Sequence, residues 1–189
     1  MIFDIEVIEE INNGPVYLRK VSKSDAKFFY NSLNESNLIN YLSLGPLNSV
    51  DEAKRLLSNY IKYWGSYAQY NYVIELREDD ITKIGSVSLW NVNWRHNRAE
   101  IGVWIIPSYW NKGYGTRAIN MIKIIGFNHL KLNRLEAHIA VENQNSFQLF
   151  KKCGFKHEGV LSQYLNFRGN YHDAQILALL RKDYFKEID

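Results

Sequence analysis

The segment with the clearest capacity for chemistry is GVWIIPSYWNKGYGTRAIN, residues 102–120, in which Gly113 and Gly115 bracket a tyrosine. Glycines carry no Cβ, so main-chain N–H groups from about Lys112 to Thr116 can converge on an anion where a helix begins. The helix dipole favours negative charge at that point. Lys112 and Arg117 would add charge-assisted contacts. A ligand carrying phosphates is therefore expected. The competing reading is a tight strand-to-helix turn that needs glycine only for a positive φ. With Ala118 following, the spacing also fits the dinucleotide fingerprint G-x-G-x-x-G/A, and Glu136 lies about 20 residues further on.

Other chemistries find little support. The histidines at 96, 129, 138, 157 and 172 show neither H-x3-5-H nor HExxH spacing, so no metal site is expected. A single cysteine, Cys153, offers no thiolate cluster and reads as a small buried residue; its solitude fits a reducing compartment. The net charge of +3 is spread along the chain, without the Lys/Arg runs of a nucleic-acid binder. No apolar run approaches the roughly 20 residues of a membrane helix. The start, MIFDIEVIEE, is acidic and alternating, unlike a signal peptide. The expectation is a cytoplasmic protein without direct nucleic-acid or membrane contact, a monomer or homodimer.

The elements that must position the glycine turn emerge from periodicity. With 189 residues, 46% of them hydrophobic, and no linker or repeat, one domain over 1–189 is expected. FDIEVIEEINNGPVYLRKV alternates on both sides of Asn12-Asn13-Gly14 and predicts a hairpin, with residues 1–14 as an N-terminal strand extension. Ser24 caps a helix to about Asn34, and Ser49-Val-Asp-Glu52 is a capping box opening a longer one to about Trp64. NYVIEL and ITKIGSVSLWNV form a hairpin turning at Glu78-Asp79-Asp80, and RAEIGVWII is a further strand ending at Pro107. After the glycines, Tyr114, Ala118, Ile122 and Ile125 form a helical stripe. NRLEAHIAV is a strand, a short helix runs from about Asn145 to Cys153, and two strands close the chain around Arg168-Gly169-Asn170. The order is β-α-α-β-β-β-α-β-α-β-β.

That order argues against a nicotinamide site. A Rossmann unit places glycine directly after its strand within repeated βαβ units. Here six residues, Pro107 to Lys112, intervene and hairpins precede the turn. The Walker-A pattern GxxxxGK[ST] is absent.

Three ordered motifs supply a more specific reading. AEIGVWIIPSYWNKGYGTRA resembles the acyl-CoA-binding region of the GNAT N-acyltransferases, Q/R-x-x-G-x-G/A, with Trp110 where Gln or Arg is usual. VENQNSFQLFKKCGFKHEGVL and RGNYHDAQILALLRKDY resemble later parts of the RimJ/RimL-like branch, so the likeness spans roughly Val16 to Tyr184. It implies an α+β (α/β) fold with a mixed sheet of about seven strands, splayed between the family's strands 4 and 5, and about four flanking helices. Acetyl-CoA is the implied co-substrate, with no metal.

The resemblance also assigns residues. The splayed strands would be Arg98–Ile106 and Asn133–Val141, and main-chain groups of Val103, Trp104 and Ile105 would pair with the pantetheine amides. The pyrophosphate would lie on Trp110, Asn111, Lys112, Gly113, Tyr114, Gly115 and Thr116. Asn143 matches a pantetheine-binding asparagine, though helix N-capping is the ordinary role of such a residue. Phe150 occupies the place of a tyrosine that protonates the leaving thiolate in many relatives, so Ser146 takes the acid role, and Lys152 reaches the coenzyme's phosphate side. Glu100 matches the general base; its structural alternative is an exposed carboxylate paired with Arg95 or Arg98. A glutamate of the RimL type is absent, because Leu165 fills its place. Trp90, Trp94, Trp104 and Trp110, with Tyr164, Asn166, Tyr171 and Asp173, are candidates for the acceptor side.

The implied reaction is acetyl transfer to a primary amine. An α-amine with a pKa near 8 needs only mild assistance, and a lysine-like amine near ~10.4 needs a stronger base. A protein N-terminal α-amine, as on a ribosomal protein, is the leading expectation. The alternatives are a polyamine or aminoglycoside acetyltransferase of the same fold, or a non-catalytic acyl-CoA-binding module. Polyamine enzymes of the family tend to keep the tyrosine that Phe150 replaces, and the acids Glu75, Glu78, Asp79 and Asp80 are scattered.

Overall fold

The computed structural model describes residues 7–186. The first six residues of the expected N-terminal extension lie outside these. The expected hairpin is present: β1 (Glu10–Asn13) pairs antiparallel with β2 (Val16–Lys20) across a turn where Gly14 has a φ of +62°.

The first helical segment begins earlier than Ser24. Ser22 caps a short 3-10 turn, with the Asp25 carboxylate accepting the Ser22 N–H at 2.8 Å, and α1 (Ala26–Ser32) continues from it. Next comes a single-turn helix, α2 (Ser36–Ile39), too short to display a helical period and therefore not expected from the sequence. The expected cap of α3 (Val50–Gly65) is present, with Ser49 Oγ accepting the Glu52 N–H at 3.1 Å. The Glu52 carboxylate turns back to the Asn48 N–H at 2.7 Å instead of closing the box on Ser49.

The middle of the chain obeys its periodicity. β3 (Tyr70–Arg77) and β4 (Ile81–Asn93) form a hairpin, and β5 (Arg98–Ile105) pairs antiparallel with β4. After a 3-10 turn at Pro107–Tyr109 comes α4 (Tyr114–Ile124), which ends in a π turn at Ile125–His129. β6 (Arg134–Ala140), α5 (Gln144–Lys152), β7 (Lys156–Phe167) and β8 (Asn170–Leu180) complete the order. The expected last strand stops at Leu180, and Arg181–Lys186 forms a short helix, α6. Its Tyr184 stacks on Phe127 at 4.9 Å, a long-range contact that overrides the apolar run of the local sequence.

Among the described residues there are eight strands, where about seven were expected, and six α-helices in place of about four. The strands form one sheet in the order β1-β2-β3-β4-β5-β6-β8-β7. Strand alternation gives each face its own core. Val73 and Trp104 pack with Phe29 of α1 and Leu57 and Tyr60 of α3. On the other face Ile74, Val87 and Leu89 pack with Ile119 and Ile122 of α4 and with Phe150 of α5. Beside the first cluster the fully buried Asp25 carboxylate meets Arg19 at 3.0 Å and Lys83 at 2.6 Å, and Arg19 also meets the buried Glu75 at 2.8 Å.

One junction matters most. Among the described residues β5 and β6 are the only parallel neighbours, and they pair only at Arg98–Arg134, Ala99–Leu135 and Glu100–Glu136. Past that rung the ladder stops, while β5 stays paired to β4 through Ile105 and β6 to β8 through Ala140. The sheet is therefore splayed where the sequence motifs placed the split.

Candidate active site

The splay opens into a cavity of about 1020 Å³. Its walls come from β5 (Val103, Trp104, Ile105), the glycine turn (Trp110, Asn111, Gly113, Tyr114, Gly115, Thr116) and α5 (Asn143, Ser146, Phe150, Lys152), with Glu100 at the root of the split. Of the catalytic and coenzyme-binding residues that the resemblance assigned, all except Lys112 thus line one cavity.

The turn is built as its glycines suggested, but each serves a different purpose. Gly113, the N-cap of α4, has a φ of +81°, and a Cβ built there would meet nothing within 4 Å. Its constraint is conformational, and the space beside it is open. Gly115 needs smallness instead, because a Cβ would lie 3.1 Å from Leu149 Cδ2 on α5. This contact seats α5, and with it Asn143 and Ser146, against the turn. The first backbone bond of α4 runs from Arg117 N to Gly113 O at 3.2 Å. The N–H groups of Tyr114, Gly115 and Thr116 precede it and have no intrahelical acceptor, which suits an anionic ligand.

The basic residues of this loop are placed differently from the expectation. Lys112 leans over the Tyr109 ring at 5.0 Å and does not line the cavity. Arg117 binds Asn13 Oδ1 at 2.9 Å, tying α4 to the first hairpin. The indole N–H of Trp110 donates to the Ile105 carbonyl, so this side chain pins the loop to the end of β5 and presents a ring wall in place of a donor.

On α5, Asn143 does what such a residue ordinarily does: its Oδ1 accepts the Ser146 N–H at 3.1 Å and caps the helix. The cap also places the half-buried Ser146 in the first turn of the helix, facing the cavity. Phe150 is buried at 2% exposure, edge-on to Phe155 at 5.1 Å, and carries no proton to give. Cys153 is buried behind it, and that burial pushes its thiol up, away from nucleophilic use.

Glu100 is not the exposed carboxylate of the alternative reading, and its contacts are neither Arg95 nor Arg98. It is 3% exposed, with Asn91 Nδ2 donating to Oε1 at 2.6 Å and His138 Nδ1 lying 3.0 Å from Oε2. Burial pushes its carboxyl up. The contacts with His138 and Asn91 and the charges of His138 and Arg98 outweigh this and hold it below the ordinary carboxylate range. Glu100, Glu136 and His138 place three ligand-type atoms within 4.8 Å of one another. His138 nevertheless turns its two nitrogens toward different carboxylates, and Glu136 already meets Arg98 at 2.9 Å and Arg134 at 2.6 Å. The arrangement is a chain of alternating charge and not a cage around one point.

The cavity wall is also rich in aromatic side chains. Trp90, Trp104 and Tyr164 line it as expected, joined by Tyr41 and Tyr60 from the helical face. Trp94 does not line it, since its N–H donates to the Tyr67 carbonyl at 2.8 Å. Asn166 and Asp173 instead accept main-chain N–H groups of Gly169 and Gln163, and Tyr171 is 65% exposed. The segment after α2 was not expected at the site, yet its residues 41–44 roof the cavity. Arg168, on the β7–β8 turn, holds it by donating to the carbonyls of Ile39 at 3.0 Å and Leu42 at 3.2 Å. Asn71, 2% exposed, leaves its Nδ2 without a partner at the cavity wall. These contributors carry no local motif, because they meet only through the sheet order.

Known proteins share this fold. A family model described as an acetyltransferase (GNAT) domain matches residues 16–156. Spermidine N(1)-acetyltransferase of Vibrio cholerae is 31% identical over 172 residues, covering 91% of this chain and 96% of that protein. The Escherichia coli (strain K12) protein of the same name is 28% identical over 172 residues, covering 91% of this chain and 89% of that protein. The crystal structure of spermidine N-acetyltransferase from Vibrio cholerae in complex with CoA and spermine superposes with a TM-score of 0.80 at 31% identity. It covers 92% of this chain and 99% of its own.

Proposed function

The chain belongs to the GNAT acetyltransferase family and is an acetyl-CoA-dependent N-acetyltransferase, and from that premise we propose that its acceptor is a polyamine of the spermidine class. The leading expectation from sequence, a protein N-terminal α-amine, gives way to the stated alternative. Relatives named spermidine N(1)-acetyltransferase match about nine-tenths of the chain and support this alternative, and the match to an acetyltransferase family argues against the non-catalytic module.

The observation that carries the proposal is the aromatic cavity with Glu100 as its one lining carboxylate among the described residues. Trp90, Trp104, Tyr41 and Tyr164 offer ring faces to alkyl-ammonium groups. An amine of this class is protonated at neutral pH and must lose a proton before it attacks. Glu100 takes that proton. Acetyl-CoA supplies the thioester: the amine nitrogen bonds to its acyl carbon, and the C–S bond breaks. Ser146 gives its hydroxyl proton to the departing thiolate and is reprotonated by the second proton that the nitrogen sheds as the amide forms, while Glu100 releases the first to solvent. Asn143 fixes the start of α5, so Ser146 stays against the split. The glycine turn holds the diphosphate through the N–H groups of Tyr114, Gly115 and Thr116, and the free edge of β5 at Val103–Ile105 takes the pantetheine arm. Lone Cys153 suits a reducing, cytoplasmic setting, and no described helix is long and apolar enough to cross a membrane.

A thiol-release assay run side by side with spermidine, an N-terminal peptide and kanamycin tests the acceptor. Spermidine should give the highest kcat/KM. Faster turnover of the peptide would overturn the polyamine assignment.

A further inference from the structure

On β6 the side chain of His138 is only 7% exposed and stands between two carboxylates. Nδ1 lies 3.0 Å from Glu100 Oε2 and Nε2 lies 3.7 Å from Glu136 Oε2. Neither ring nitrogen makes an aligned hydrogen bond, so both links are of contact and charge.

The charges around the ring are unequal. Glu100 and Arg98 face it from β5, and Glu136 and Arg134 belong to its own strand. Tyr164 of β7 meets the ring edge-on at 4.9 Å, and the residue paired with it on β8 is Ile176, which has no charge. From β4 comes Asn91, a neutral donor, on the far oxygen of Glu100. Glu136 is neutralised by two arginines, one of which, Arg134, also pairs with Glu158. Among the described residues, the only cationic group in contact with Glu100 is His138.

We propose that His138 is the positioning residue of the acetyl transfer: it fixes the second oxygen of Glu100 and supplies the positive charge that governs when this carboxylate is free to accept a proton. This rests on the reading of Glu100 as the base. Geometry makes the role specific. The i, i+2 spacing of Glu136 and His138 puts both on one face of β6, and Glu100 is the Cα partner of Glu136. The ring therefore lies across the root of the split, where the strands part. Imidazole is the side chain whose charge ordinarily changes between about pH 5 and 8, and at 3.0 Å that charge bears directly on Glu100.

Three variants test this: His138→Asn, His138→Leu and Glu100→Gln. Asn keeps a donor near the position of Nδ1 but never carries charge. Turnover with saturating acetyl-CoA and spermidine is measured against pH, with thermal melts and coenzyme affinity confirming that each variant folds. His138→Leu should lose at least about tenfold in kcat near neutral pH, with KM for acetyl-CoA within about twofold. His138→Asn should recover most of that loss at alkaline pH, while the acidic limb of kcat stays displaced to higher pH in both. A second readout uses the protein alone: the His138 ring, observed by NMR, should give up its proton at lower pH in Glu100→Gln than in the parent.

If His138→Asn lowers kcat equally at every pH, or the ring titration ignores Glu100→Gln, the assignment of His138 is overturned while Glu100 keeps its role. Near-parental turnover in Glu100→Gln would remove the base itself, and this inference with it.

Discussion

Glu100 and Glu136 are Cα partners on the last rung that joins β5 to β6, one residue before the two backbones part. Two carboxylates side by side at low exposure repel. The fold resolves this unequally, clamping Glu136 between Arg98 and Arg134 and leaving Glu100 to a neutral amide and an imidazole at the cavity. One acid is held by arginines, and the other is the proposed base.

Ser146 is the hydroxyl in the first turn of α5 that lines the cavity, where Phe150 can give no proton. Ser146→Ala should lower kcat at least about tenfold with little change in acetyl-CoA affinity. Its main-chain N–H, which Asn143 caps, is untouched by the substitution. Steady-state kinetics beside a direct binding measurement check this, and undiminished turnover would take Ser146 out of the mechanism.

Substitutions in the glycine turn should separate its two constraints. Gly113→Val forces a β-branched residue to a φ of +81° beside the proposed diphosphate seat, so coenzyme affinity should fall by about tenfold or more. Gly115→Val pushes a side chain into Leu149 of α5 and should lower Tm as well as binding. Calorimetric titration with acetyl-CoA and melting curves distinguish the two. Equal behaviour of both variants would contradict the division of labour.

Arg168 spans from the β7–β8 turn to the carbonyls of Ile39 and Leu42, which hold the cavity roof. Arg168→Ala should raise KM for the amine about three- to tenfold, leaving KM for acetyl-CoA near its parental value. Limited proteolysis in the segment 40–48 should quicken in parallel. An unchanged amine KM would mean that the roof holds without this clamp.

Acid stability should report on Asp25. Burial pushes its carboxyl up, but hydrogen bonds from Arg19, Lys83 and the Ser22 N–H, with the charge of Arg19, win and hold it below the ordinary range. A depressed carboxylate contributes stability above its unfolded value of about 3.9, and the contribution vanishes as pH falls through the folded value. Tm should therefore drop below about pH 4. Asp25→Asn should lose roughly 3 kcal/mol at neutral pH, because Arg19 and Lys83 lose their buried partner, and its acid limb should be flatter. An acid limb as steep as the parent's would assign the effect to another carboxylate.

How much of the fold and site could be read in the sequence depended on physical reach. The Asn12-Asn13-Gly14 turn, the Ser49 cap and the glycine loop are local devices, and each appears where its residues stand. The partners of Glu100 were not readable, because Asn91 and His138 approach it from two other strands and no short spacing records that approach. Arg117 looked like a phosphate ligand by its place in the loop, yet Asn13, 104 residues away, claims it. Trp110 departed from the motif, and its bond to Ile105 gives that departure a structural use. The helix α6 stayed hidden for the same reason, since Phe127 and not the neighbouring sequence decides it.

Beyond Glu100, β5 has a partner strand on one flank only. Half of its edge amides are thus left for whatever slides into the slot. A thioester cofactor lying there would serve as a removable ninth strand, stitched in by amide pairing. Isotope exchange at residues 101–105 should slow sharply once it is seated, and the melting point should climb with its concentration. The protein would then finish building its own architecture each time it begins a catalytic cycle.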